Sequence, residues 1–128
     1  MFTTLNFWLW VAQILLFAMF GLAGVMKSTR PIAKLSEMMG WVNDYKPTTV
    51  RFVGIVEALG ALGMILPMAT GILPWLTPLA AVGFVIIQLL AIPVHAKRNE
   101  TGKTLPINLL LLALSIFVVW GRFGLFTP

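Results

Sequence analysis

Glu57 sits in "RFVGIVEALGALGMILP", residues 51–67, where every neighbour from Phe52 to Pro67 is apolar or glycine. A carboxyl group in such a run can exchange a proton, pair with a lysine or arginine, or accept hydrogen bonds from other buried groups. Few other side chains in the chain can do chemistry. His95 is the single histidine and a candidate proton donor beside Glu57. Lys27, Arg51, Gln88 and Asn108 are candidate ligand-binding groups. The chain has no cysteine, which excludes a disulfide, a thiolate metal site and thiol redox chemistry within it. One histidine excludes a bis-histidine haem within one chain. No protein-bound metal or haem is expected.

The elements that must position these groups follow from composition. Of 128 residues, 59% are hydrophobic and only 10% charged, and the mean hydropathy is +0.96. A soluble domain carries about 25% charged residues. Four apolar runs, Leu5–Met26, Val50–Leu66, Trp75–Val94 and Leu105–Gly121, each approach the length that crosses a bilayer. They predict an all-α membrane protein, with four transmembrane helices in one antiparallel bundle and no second domain. The first run is too long for a cleaved signal peptide and lacks a charged leader, so it is expected to stay as a span.

A sequence pI of about 10.3 does not point to nucleic acid, because the basic residues gather at span ends. Lys27, Arg30, Lys34, Lys46 and Arg51 surround the first connection, and Lys97, Arg98 and Lys103 the third. Only Arg122 lies at the other side, where the connection "PMATGILPW" is uncharged. Eight basic residues against one predict cytoplasmic basic connections and both termini outside the cytoplasm. Trp8, Trp10, Trp75 and Trp120 would form one aromatic belt, and Trp41 with Tyr45 the other.

Local signals set the boundaries. Pro67 and Pro74 bracket the uncharged turn, with Gly71 between them. Thr48 or Thr49 is the expected N-cap of the second span, and Thr104 that of the fourth, with Pro106 in its first turn. Within "PIAKLSEMM", residues 31–39, Ile32, Leu35, Met38 and Met39 recur at helical spacing together with Val42, while Lys34 and Glu37 face elsewhere. This predicts a short interfacial helix.

Glu57 follows Val50 by seven residues, which places it on the order of 10 Å into the membrane. A charge near the bilayer centre costs roughly 2.5–3.5 kcal/mol, so Glu57 must face protein groups or stay protonated. Gln88 reaches a similar depth seven residues before His95, Asn108 lies about one turn into the fourth span, and Lys27, Arg51 and His95 ring the same rim. Connectivity alone puts all six in one half of the bundle. Gly54, Ala58, Gly60, Ala61 and Gly63 make the second span a close-packing surface, as Gly21 and Gly24 do for the first. Gln13 is expected to hydrogen-bond between helices, and the methionines to fill packing gaps.

The runs "FGLAGVMK", "RFVGIVEALGALGMILP" and "AIPVH", with "MMGWV" before the second span, together resemble the DoxX-like membrane proteins. The resemblance covers nearly the whole chain and implies a four-helix membrane bundle. It makes Lys27, Arg51, Gly54, Glu57, Gly60 and His95 the characteristic residues. Relatives include subunits of a thiosulfate:quinone oxidoreductase and proteins linked to quinone resistance or oxidative-stress complexes, while many have no assigned activity. The resemblance thus implies a component of a quinone-linked oxidoreductase, or a subunit binding a lipophilic small molecule. Glu57, with His95 or Lys27, would then give a proton to a quinone oxygen. The quinone, or a cofactor on a soluble redox partner, would carry the electrons.

Two other readings stay open. A small proton-coupled transporter also places a glutamate in the membrane, although usually in its first helix and with weak charge bias. A non-catalytic scaffold would recruit a soluble partner through the basic face around Lys97 and Arg98. The bilayer is the one partner that composition requires, and assembly as a homo-oligomer is open.

Overall fold

The computed structural model of the chain describes residues 2–98 and 101–126, and within them all side chains but those of residues 2, 3, 38 and 101–104. Four long helices form the fold: α1 (Phe2–Thr29), α3 (Pro47–Thr70), α4 (Leu76–Lys97) and α5 (Thr101–Arg122). A short helix α2 (Ile32–Met38) and a 3-10 turn (Gly40–Asp44) join α1 to α3, and a second 3-10 turn (Phe123–Phe126) follows α5. At about 1.5 Å per residue, the long helices exceed a hydrocarbon layer of about 30 Å. Their most apolar windows have mean hydropathies of 1.9 to 2.2. Phe7, Leu22, Leu59, Leu90 and Trp120 are among the large apolar side chains left exposed. The interior holds Gln13, Lys27, Glu57, Thr77, Gln88, Asn108, Ser115 and Arg122. An apolar exterior around polar groups is the arrangement that a lipid environment selects.

The chain reverses at each connection, so the helices alternate in direction. α1 packs most extensively on α3 and α4 on α5, and the ring closes through α3–α4 and α1–α5. Glycine makes the α1–α3 contact. A Cβ on Gly24 would lie 2.6 Å from both the Ala58 nitrogen and the Gly54 oxygen, and one on Gly54 would lie 2.7 Å from Lys27 Cβ. The expected small surfaces on these two helices therefore meet each other. Gly60 has another neighbour, the ring of Phe84, which stacks on Phe20 at a centroid separation of 3.8 Å.

The interfacial helix forms where expected. Leu35 and Val42 are buried with Met26 and Val50, while Lys34 and Glu37 are exposed; the Met38 side chain lies outside those described. This segment covers the end of the bundle where α1 and α4 finish, termed here the basic end. Arg98 Nη1 donates to Asp44 Oδ2 at 2.8 Å, and Gly40 lies so close to the same guanidinium that a Cβ would be 2.6 Å from Nη2.

Three boundaries differ from expectation. α3 starts at Pro47 with Lys46 in the N-cap position and no side-chain cap, so Thr48 and Thr49 lie inside the helix. Proline at the first position supplies a helical φ and has no N–H to satisfy. α5 is already helical at Thr101, which puts Thr104 and Pro106 inside it and shortens the polar turn; residues 99 and 100 lie outside those described. α3 also runs through Pro67 to Thr70 and ends on Gly71 at φ 74°. Pro67 has no N–H for the carbonyl of Gly63, four residues earlier. Thr77 Oγ1 on α4 donates to that oxygen at 2.7 Å, and Gln13 Nε2 on α1 donates to the Met64 oxygen at 2.6 Å. Thr77 thus satisfies the carbonyl opened by the proline, Gln13 adds a bond to the next carbonyl, and the turn begins four residues later.

Gly24→Ala is expected to destabilise the bundle by about 1–3 kcal/mol, because backbone on α3 cannot move aside. Gly83→Ala meets nothing within 4 Å and is expected to be neutral or to stabilise by about 0.5–1 kcal/mol. Thermal unfolding of both variants in one detergent checks the contrast; equal midpoints would refute the close-packing account.

Candidate functional site

At the basic end the four helices separate around a cavity of about 560 Å³. α1 contributes Phe20 and Lys27, α3 contributes Glu57, α4 contributes Gln88 and His95, and α5 contributes Asn108 and Leu111. Trp41 and Tyr45, from the connection between α1 and α3, complete the wall. Membrane-facing Met19, Leu90 and Ile107 also line the cavity, so its wall reaches the lipid side of the bundle.

The centre of the site is an ion pair. Lys27 Nζ donates to Glu57 Oε1 at 2.8 Å, and Glu57 is 3% exposed. Two local features bring these groups together. Gly54 lies one turn before Glu57 and lets the Lys27 side chain run across the α3 backbone. Lys27 also leaves the last turn of α1, where the carbonyl end of the helix favours a cation. The ammonium is 5.3 Å from the centre of the Trp41 ring, so an aromatic face supplements the carboxylate.

Opposite the ion pair, Gln88 is 4% and Asn108 7% exposed. Gln88 Oε1 and Asn108 Nδ2 are buried and have no protein partner. Buried amide atoms are normally satisfied, and each left without a partner costs about 1–3 kcal/mol. The site therefore joins a cation, a carboxyl group, an imidazole and two unsatisfied amides around an otherwise apolar volume. Such a surface suits a mainly apolar ligand with a polar end.

The structure brings five of the six candidate residues to one cavity: Lys27, Glu57, Gln88, His95 and Asn108. Arg51 is placed elsewhere. Its Nη1 donates to the carbonyls of Lys27, at 2.8 Å, and Arg30, which ties down the end of α1. Arg51 thus positions the Lys27 backbone without lining the cavity. Among the described residues, no group of three or more His, Cys, Asp or Glu could hold a metal ion.

A family model described as "DoxX-like family" matches residues 11–118 of the 128. The chain belongs to the DoxX-like family. In this DoxX-like protein the matched stretch contains all four long helices in whole or large part and every residue of the cavity wall. Comparisons with curated proteins and with solved structures gave no match.

Sequence reasoning missed the contribution of Trp41 and Tyr45, which it assigned to an interfacial belt. It also missed Thr77 and the contact of Gln13 with Arg122, whose Nε donates to Gln13 Oε1 at 2.8 Å. The signal for Thr77 was Pro67, since a proline within a span requires a donor from another helix. No local signal links Gln13 to Arg122.

Lys27→Met strands a buried carboxylate and is expected to cost about 3–5 kcal/mol. Glu57→Gln is expected to cost less, because the ammonium retains Trp41 and the nearby rim. The double variant should be more stable than Lys27→Met alone, as unfolding midpoints of all four proteins would reveal. Strict additivity would mean that the two residues do not form a pair.

Proposed function

We propose that this DoxX-like protein binds a lipophilic molecule with a polar ring head, of the quinone class, as a membrane subunit of an oxidoreductase. The observation that carries this reading is the pair of unpartnered amide atoms, Gln88 Oε1 and Asn108 Nδ2, in a largely apolar wall that extends to membrane-facing residues. A volume of about 560 Å³ lies within the range of roughly 300–1,000 Å³ typical of small-molecule sites. The head group of such a ligand would take a hydrogen bond from Asn108 Nδ2, and in hydroxylated form give one to Gln88 Oε1.

Reduction of a quinone to a quinol consumes two electrons and two protons. The chain has no thiol to supply electrons, and on this reading they come from a redox partner that carries its own cofactor. The protein's part is to bind, orient and supply protons. The Lys27 ammonium, held on Glu57, is the proton donor at the ligand oxygen, and Glu57 keeps it charged and aimed. His95, half-buried at the same wall and nearer the rim, returns protons to the pair.

One feature disfavours the transporter reading. The region between this cavity and the polar groups at the other end is occupied by Leu16, Phe20, Met64 and Phe84, all buried and apolar. Among the described residues Ser115, midway along α5 between Asn108 and Arg122, adds one buried hydroxyl at this depth, and it donates to the Leu111 oxygen of its own helix. A translocated cation would meet no charged side chain there among the described residues.

Mass spectrometry of molecules that co-purify from the native membrane tests the reading. A quinone-type lipid is expected with the wild type, and reduced about tenfold or more in folded Gln88→Leu and Glu57→Gln variants. An equal amount of quinone in all three samples, or none in the wild type, would overturn it. Retention of a soluble protein that depends on Lys97 and Arg98 would favour the scaffold reading instead.

A further inference from the structure

A second polar cluster lies at the opposite end of the bundle, and it contains a cation with no anionic side chain beside it among the described residues. Arg122, in the last turn of α5, is only 9% exposed. Side chains on a helix lean towards its N-terminus, which carries this guanidinium back into the bundle. Its Nε donates to Gln13 Oε1 at 2.8 Å, and Gln13 uses its Nε2 on the Met64 oxygen. The glutamine is engaged at both ends and fixes the guanidinium plane. Nη2 is buried and has no partner.

Among the described residues no acidic side chain belongs to this end. The four acidic residues are Glu37, Asp44, Glu57 and Glu100. Glu37 and Asp44 lie in the connection from α1 to α3, Glu57 is paired with Lys27, and Glu100 falls between α4 and α5 in sequence. The three described ones belong to elements of the basic end, and Glu100 lies outside the described residues. The Trp10 ring, its centre 5.9 Å from Arg122 Cζ, and the carbonyl end of α5 offset part of the charge. Neither supplies an acceptor for Nη2. A buried cation in a low-dielectric region needs a counter-charge, and the guanidinium fork matches the oxygens of phosphate.

We infer that Arg122, oriented by Gln13, is a binding site for a phosphate-type oxyanion, supplied by a lipid headgroup or by free phosphate. The last turn of a spanning helix, flanked by Trp10 and Trp120, is a position that headgroup phosphates can reach. The site is separate from the Glu57 cavity and does not depend on what that cavity binds.

The full chain in a maltoside detergent, which carries no phosphate, provides the test. Phosphatidylglycerol is added in one arm, and inorganic phosphate at constant ionic strength in another. Binding is read by native mass spectrometry and by the rise in unfolding midpoint. The wild type is expected to bind, and Arg122→Gln to bind about tenfold or more weakly. Lys34→Gln, which removes an exposed charge at the other end, should bind like the wild type. Binding of phosphatidylglycerol alone identifies a lipid site, and binding of both identifies a general oxyanion site. If Arg122→Gln does not fold, Arg122→Lys, which keeps the charge and loses the fork, should still bind more weakly than the wild type. No response of the wild type to either anion, or equal binding by the Arg122 variants, would overturn the inference.

Discussion

A charge in hydrocarbon has to find its partner within the protein, and the Lys27–Glu57 contact is where this chain meets that demand. At 2.8 Å the pair requires α1 and α3 to approach almost backbone to backbone. That approach requires Gly24 and Gly54, because a methyl group at either position would enter the main chain of the other helix. Arg51 then closes the carbonyl end of α1, from which Lys27 departs. A glycine contact, an arginine cap and an ion pair are thus linked, and the cavity is what remains when α4 and α5 complete the ring around them.

The same demand governs the backbone. Pro67 opens the Gly63 carbonyl of α3 within the membrane, Thr77 of α4 donates to it, and Gln13 of α1 donates to the next carbonyl, Met64. These bonds do more than repair the helix, because they fix α3 against both neighbours at the end away from the cavity. Gln13 has a second obligation, to Arg122 on α5, so one glutamine connects three helices. The proline is therefore a point of attachment in the bundle, and its cost is offset by contacts that a regular helix would not offer.

The spans were legible because length and hydropathy decide them with little help from tertiary contacts. The short helix was legible because Leu35 and Val42 recur on one face while Lys34 and Glu37 do not. The cavity was legible by counting. Residues at equal depth from a common rim must meet in a bundle this narrow, and Lys27, Glu57, Gln88, His95 and Asn108 do so. Counting gave depth without direction, and here Arg51 went astray, since its depth suited the site while its donors faced carbonyls of α1. The prolines misled for a related reason. Local rules place proline at helix starts and turns, whereas Pro67 and Pro106 lie within helices. For Pro67 the tolerance comes from Thr77, a contact between helices that no local window contains.

Two polar regions separated by an apolar layer constrain what the molecule can do. The layer is well packed, with Phe20 flat against Phe84 and the Phe84 ring seated on Gly60. Phe84 fills the space that a side chain at residue 60 would need, so the glycine and the aromatic stack form one unit. A proton or cation moving from Glu57 to Gln13 would meet in that layer one buried hydroxyl, Ser115, already donating to its own helix, and no charged side chain among the described residues. On the proposed reading, a ligand of the basic-end cavity would therefore enter from the membrane or the rim and leave the same way. On that reading the charged pair and the two amides have a direct physical use, as a polar end wall for an otherwise apolar guest.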